Sequence, residues 1–509
     1  MINKHEKISR TVKSTVIALF AFIGFINFSS STVLAQQAPR EWTILVYMNA
    51  DNDLYRFGFL NMSQMEQIGS TEKVNVVVQM DHGDASTPTS RYYITKNPNP
   101  TSGKITSKVL QTLGETNMGD PKTLAEFLTW GVQNFPAKKY AVIIWNHGSG
   151  WEGISYDDNP RAYLTLPQVR TAMQASLSSL ARQRGGNFRQ AAKFDIINFD
   201  ACLMSTLEVA YELKDVGQYL VGSQFNEPGE GEDYVKFLTP LVAQPQKTPR
   251  ELSEIMVYQY ATAYKDRSSI NYAAVDLSRV HGFTSALNTT SQQIAASPAK
   301  DGILLSFGQG SFDLITAFTQ AQIASKSDTK TQQTIDQLIA AYGYPQDFQQ
   351  NGLERNLAGG RVITRTYPGV VYYKSSAQSG AAQVELKLGA KNLYSATIPA
   401  QVFQYTVQRQ GGRNLRETLN LKESTSTFLR QGANPIVYHN AFPETSPLIA
   451  DAYTFSTRGA HGMTLYSLAG MSASLRPNSQ PLSRSILTEY KRLLFSTQGA
   501  PAWTSLFGF

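Results

Sequence analysis

Cysteine is all but missing from this chain. Its 509 residues include one, Cys202. That excludes an intramolecular disulfide, a structural zinc site built on several cysteines and a cysteine-held cluster. Charged side chains make up 17% and hydrophobic ones 42%, a globular balance that excludes a disordered chain, a collagen-like fibre and a coiled-coil rod. Beyond the N-terminus no run is apolar enough to span a bilayer. No basic run alternates with aromatic residues, so nucleic-acid binding has no footprint. His-Glu-x-x-His, Gly-x-Ser-x-Gly and a Walker loop are all absent, which removes the signatures of a zinc hydrolase, an α/β-hydrolase and a nucleotide-driven enzyme.

The N-terminus reads as an export signal. Lys4, Lys7, Arg10 and Lys13 precede an apolar run from Val16 to Phe28, and Ser29 to Ala35 is a small-residue cleavage region. The apolar run is short for a membrane helix, which needs roughly 20 residues. Residues 1–35 are therefore expected to be removed after Ala35, giving a secreted or periplasmic protein without a membrane anchor. An uncleaved anchor is the rival reading. Removal takes four basic side chains and Glu6 from the totals of 46 and 39, leaving a net charge of +4. An exported protein that keeps one unpaired cysteine hints at a thiol retained for chemistry.

The first half of the chain alternates continuous apolar runs with helix-like stretches. Strands are expected at Trp42–Met48, Val74–Met80, Tyr140–Trp145, Phe194–Phe199, Tyr219–Gly222 and Asn271–Leu277. Helices are expected at about Leu54–Ile68, Pro121–Asn134, Leu166–Arg184 and Met204–Lys214, with a short excursion at Arg91–Thr95. The pattern predicts an α/β fold, a mostly parallel sheet covered on both faces. The length allows two or three domains. A main domain over 36–345 is followed by a small β-rich insert or accessory module over 360–445. A strand and helix within 455–509 return to the main domain.

In open α/β sheets, ligands bind beyond the carboxyl ends of the strands. The third strand runs into Asn146-His147-Gly148-Ser149-Gly150-Trp151 and the fourth into Asp200-Ala201-Cys202. If these strands are neighbours, His147 and Cys202 emerge on one edge. Such a pair suits nucleophilic catalysis, the imidazole taking the thiol proton and the thiolate attacking a carbonyl. Gly148 admits a close backbone approach. The N–H groups of Gly148 and Cys202 are candidates for holding the oxyanion. Against this, a lone buried cysteine is usually a small hydrophobe and a lone histidine is usually structural. His82, which also follows a strand and precedes a glycine, is the second candidate base. Asp200 lies two residues before Cys202, on the same side if the strand continues. It is either a partner for a basic substrate side chain or a helix cap.

Several stretches together resemble the clostripain family of cysteine peptidases, which share the caspase-like fold. They are WTILVYMNADNDL (42–54), NMGD (117–120), YAVIIWNHGSGW (140–151), FDIINFDACLMSTLEVAYEL (194–213) and YLVGSQFNEPGEGEDY (219–234). The resemblance covers about 40–325 and resumes near Gly462, but not 360–445. It implies an endopeptidase with His147, not His82, as general base and Cys202 as nucleophile. It places Asp200 in a pocket selecting arginine or lysine. A second pocket carboxylate is implied from the loop 227–233, with Glu230 the best match and Glu232 next; the plain alternative is that Glu232 and Asp233 favour a helix start. The Cys–His chemistry requires no cofactor and no metal ligand is assigned. Some family members use calcium, for which Asp51-Asn52-Asp53 and the 227–233 loop offer oxygens without EF-hand spacing; Asp53 otherwise reads as a helix cap. Family members are commonly cut between the two catalytic motifs. Arg161-Ala162, in a polar stretch expected to be an exposed loop, is the first choice of bond, and the run Arg182–Arg189 the second. The expected partners are proteins or peptides with arginine or lysine before the scissile bond. A catalytically silent binding module and a transpeptidase using the same dyad are the alternatives.

Overall fold

A computed structural model describes residues 39–342, apart from 84–86, 102, 186–191, 224–225, 265–270, 308–317, 319–320 and 323, and also 488–506. Between 372 and 454 it describes only backbone strands. The export signal, His461-Gly462 and the strand expected near Met463 lie outside the described residues.

The strands in chain order are β1 (Arg40–Asn49), β2 (Val74–Asp81), β3 (Thr89–Tyr93), β4 (Lys108–Gly114), β5 (Ala137–Trp145), β6 (Ile154–Asp158), β7 (Arg161–Leu164), β8 (Phe194–Asp200), β9 (Gly217–Gly222) and β10 (Asn271–Asp276). The main helices are α1 (Tyr55–Ile68), α2 (Pro121–Asn134), α3 (Leu166–Gln183), α4 (Leu207–Leu213), α5 (Tyr234–Ala243), α6 (Pro249–Ala263) and α7 (Val280–Ala295). The central sheet runs β10-β9-β8-β5-β1-β2-β3-β4. The five middle strands are parallel, while β10, β3 and β4 pair antiparallel at the edges.

Side chains on β1 alternate between two cores, as the two-residue strand period requires. Leu45 and Tyr47 join Leu124, Phe127, Val169 and Leu207 on the α2–α3–α4 face. Trp42, Ile44, Val46 and Met48 join Met62, Met65, Phe237 and Met256 on the α1–α5–α6 face. Helix α2 starts where Pro121 supplies a fixed φ at its first turn, and the Asp120 carboxylate accepts from the Lys122 N–H at 2.8 Å. The C-terminal segment packs back onto this domain: Tyr490 donates to Glu208 and the Leu494 N–H to Glu212.

Four details go beyond the sequence expectations, and one of them, residues 154–164, corrects an expectation. The short excursion is a pair of antiparallel strands, β3 and β4. The sixth strand, β10, pairs antiparallel with β9 at the edge of the mostly parallel sheet. Residues 154–164 are not a loop but the hairpin β6–β7, with Ser155 and Asp157 buried and Arg161 exposed at its turn. Within 360–445, strand Ile436–His439 pairs with Ile449–Thr454, which in turn pairs with β10; the strands between 372 and 419 form their own antiparallel sets.

Candidate active site

Strands β5 and β8 are hydrogen-bonded neighbours, with Trp145 opposite Asp200. His147 and Cys202 therefore leave the sheet side by side, and both line a cleft of about 820 Å³ at its carboxyl edge. His82 follows β2, two strands further from β8. It is buried, with its Nε2 3.2 Å from the Tyr92 hydroxyl, and is not among the residues lining the cleft.

Two asparagines fix the histidine loop. The Asn146 amide donates to the carbonyls of Asn49 (2.6 Å) and Tyr156 (2.9 Å). Asn52 donates to the same two carbonyls, at 3.2 and 2.9 Å. The end of β1, the end of β5 and the hairpin are thereby joined. Asp53 is carried by this arrangement to His147, its Oδ1 2.7 Å from Nε2. Asp53 caps no helix: α1 has Leu54 at its cap position and no side-chain cap bond. The sequence reading missed the contact because residues so far apart in the chain show no joint pattern.

Gly148 approaches the cysteine loop itself. A Cβ there would lie 2.3 Å from the Cys202 carbonyl oxygen and 3.1 Å from Ala201 Cβ. Strand β8 ends at Asp200, so the strand period does not reach Cys202, and Leu203 turns the chain with φ of 64°. Among the described residues no hydrogen bond joins His147 to Cys202. The thiol sulfur accepts from the Glu227 N–H at 3.2 Å. Burial, then the negative charge of Asp200, pushes the Cys202 thiol up.

Asp200 does not cap a helix either. Thr206 caps α4, accepting from the Val209 N–H. The Asp200 carboxylate accepts from the Glu232 N–H and the Tyr234 hydroxyl, each at 2.9 Å. Burial pushes its pKa up to about 6. The loop carrying the other acids is held by Asn61 of α1, which donates to the carbonyls of Glu230 and Glu232. At Gly231 the chain takes φ of 62°, and a Cβ there would lie 2.5 Å from Asp200 Oδ1.

This turn decides which acid faces the thiol. Glu230 is half-buried and does not line the cleft. Glu227 does line it, with both carboxylate oxygens sealed from solvent and facing the Asp200 carboxylate and the Ala201 N–H. Burial first, then the charge of Asp200, raises its pKa well above the usual carboxylate range. Glu232 does not line the cleft and accepts from the Asn198 amide at 2.7 Å, while Asp233 caps α5. Glu227 was visible in the sequence only as one acid among four; burial and backbone direction single it out. Among the described residues no group of three or more histidine, cysteine or acidic side chains is gathered closely enough to hold a metal.

A model of the clostripain family matches residues 46–442, running through the 360–445 stretch where the motif resemblance stops. Clostripain of Hathewaya histolytica is 29% identical over 191 residues, 34% of this chain and 36% of that one, so the chain spans little more than a third of that relative's length. Among solved structures, a secreted C11 cysteine protease from Bacteroides thetaiotaomicron in complex with an irreversible peptide inhibitor is 17% identical over 77% of this chain and 97% of that one, with a TM-score of 0.45. An inactive zymogen C11 protease from Parabacteroides distasonis is 14% identical over 75% of this chain and 90% of that one, with a TM-score of 0.40.

Proposed function

Since the chain belongs to the clostripain family, we propose that it is an exported cysteine endopeptidase that hydrolyses peptide bonds after arginine or lysine. Cys202 is the nucleophile and His147 its base. The imidazole takes the thiol proton, the thiolate attacks the carbonyl, and the N–H groups of Gly148 and Cys202 hold the oxyanion. The amine leaves with the proton from His147, and water then releases the acyl group from sulfur.

The observation that carries the specificity is Glu227. Two buried acids side by side do not both ionise unless a cation meets them. Glu227 stands beside Asp200 and the thiol in the cleft. A guanidinium or ammonium group before the scissile bond satisfies both acids. Its positive charge also offsets the field that keeps the thiol protonated. In this reading Glu227 takes the place that sequence comparison gave to Glu230.

Self-processing at Arg161-Ala162 belongs to the same reading. Tyr156 and Asp158, on the same hairpin, line the cleft, and Arg161 is exposed. Ala162 packs on Gly119, where a Cβ would fall 2.7 Å away, so β7 peels from the domain before it is cut. The second choice, Arg182–Arg189, begins at the end of α3, where Arg184 pairs with Asp195, and its remainder lies outside the described residues. Export is supported by the basic, apolar and small-residue segments of 1–35. Among the described residues no helix is long and apolar enough to cross a membrane.

The test is turnover of chromogenic peptides ending in arginine, lysine, leucine or aspartate by the purified mature protein. Arginine and lysine peptides are expected to react at least about tenfold faster, the equivalent of one charge-assisted contact. Equal rates for leucine overturn the pocket. Retained turnover in Cys202→Ala overturns the mechanism.

A further inference from the structure

We infer that Asp53 is a positioning residue for His147, fixing which ring nitrogen carries the proton. The inference rests on His147 acting as the base of Cys202. Its observation is separate: the 2.7 Å contact between Asp53 Oδ1 and His147 Nε2. A carboxylate accepts and does not donate when ionised. The hydrogen in this bond therefore sits on Nε2, and the lone pair of the neutral ring sits on Nδ1. Nδ1 is then the nitrogen left to take the thiol proton.

The contact is built into the fold. Asp53 follows Asn52, whose amide spans the Asn49 and Tyr156 carbonyls, and whose side-chain oxygen accepts from the Leu54 N–H. His147 follows Asn146, whose amide spans the same two carbonyls. Its side-chain oxygen accepts from the His147 N–H. Twin asparagines thus set the two loops at a fixed separation. Among the described residues Asp53 is the ring's hydrogen-bond partner. The other ionisable side chains lining the cleft are Tyr156, Asp158, Asp200, Cys202 and Glu227. None of them has a hydrogen bond to the ring among the described contacts. Asp53 also supplies a counter-charge when the ring accepts the thiol proton and becomes an imidazolium. Its side chain is 81% exposed, so water screens the pair and the effect is modest. Asp53 lines the cleft, and a peptide bound there covers the contact and removes that water.

The experiment compares wild type with Asp53→Asn, Asp53→Ala and Asp53→Glu. Kinetics use an arginine peptide, and long-range proton–nitrogen NMR spectra follow histidine-labelled protein, with His147 assigned by its loss in His147→Gln. Asn and Ala are expected to lower kcat about three- to tenfold with KM unchanged and to shift the His147 signals from the Nε2–H tautomer to a mixture. The Glu variant recovers at least part of both. An unchanged tautomer in the Asn and Ala variants overturns the inference, even if kcat falls, because a purely structural role would leave the nitrogen signals in place. Unchanged kcat also overturns it. If His147→Gln itself retains wild-type turnover, the failure lies with His147 as base and not with the Asp53 contact.

Discussion

Gly148 and Cys202, on loops that follow adjacent strands, meet backbone to backbone: a Cβ at residue 148 would fall 2.3 Å from the Cys202 carbonyl oxygen. The flexible end of a side chain could swing away from such a clash, but a peptide carbonyl cannot. Gly148→Ala therefore displaces the loop that carries Cys202. Turnover of an arginine peptide is expected to fall at least about tenfold, since small misplacements of reacting groups are costly. Stability drops by about 1–3 kcal/mol, the usual cost of overpacking, read from a denaturant melt. Wild-type values on both measurements would show slack between the two loops.

Asp200→Asn is expected to act in opposite directions on two measurements. It removes a carboxylate proposed to meet a basic substrate side chain, so kcat/KM for arginine peptides is expected to fall about tenfold or more. It also removes the negative charge that, after burial, raises the thiol. Iodoacetamide labelling of Cys202 at pH 8 then speeds up. Glu227→Gln lowers the arginine specificity constant in the same way. Slower labelling together with slower turnover in Asp200→Asn would mean only that the loop had collapsed.

A second acidic group sets a pH dependence of stability. Asp81 and Asp157 each have pKa values pushed up to about 7, chiefly by burial. Unfolded, they titrate near 4. The native state thus holds more protons between those values, and stability is full below about 4 and lost as pH rises through about 7. Asp81 Oδ1 accepts from the His82 N–H and the Thr89 hydroxyl, while Oδ2 is buried and unpaired. Asp81→Asn keeps an acceptor and removes the buried charge. It is expected to stabilise by about 1–3 kcal/mol at pH 8 and hardly at all at pH 4. Urea melts at the two pH values check this, and an equal effect at both would remove the titration from the account.

Self-processing is read by intact mass. Wild type is expected to give fragments 36–161 and 162–509, and Cys202→Ala one full-length species. Arg161→Gln should abolish the cut or move it. Identical fragments in wild type and Cys202→Ala would identify another protease as the agent.

Strands β1, β2, β5 and β8 were legible in the sequence because both of their faces are buried, which leaves continuous apolar runs. Strand β4 was not. It is an edge strand lying almost wholly in solvent, with even Val109 48% exposed, and no face of it records burial. The β6–β7 hairpin was hidden by its polar composition, since Asp157 is buried through the Met118 and Asn159 N–H groups rather than through apolar contact. At the site, His147 and Cys202 announce themselves by standing at strand ends. The placement of Asp53 and Glu227 is not visible there, because it depends on where two loops point. Those directions are set by Asn52, Asn146 and the left-handed Gly231, whose identities say that the chain turns but not toward what.

The seam between β5 and β8 has a consequence for a cut chain. Every bond between residues 148 and 193 separates a piece holding His147 from a piece holding Cys202. A protein nicked there is a heterodimer held by one shared sheet, with its proposed acid–base group on one subunit and its nucleophile on the other. Neither half could attack a peptide bond alone. Separately expressed halves would behave as a split enzyme, silent apart and active on mixing, with a rate that follows their association.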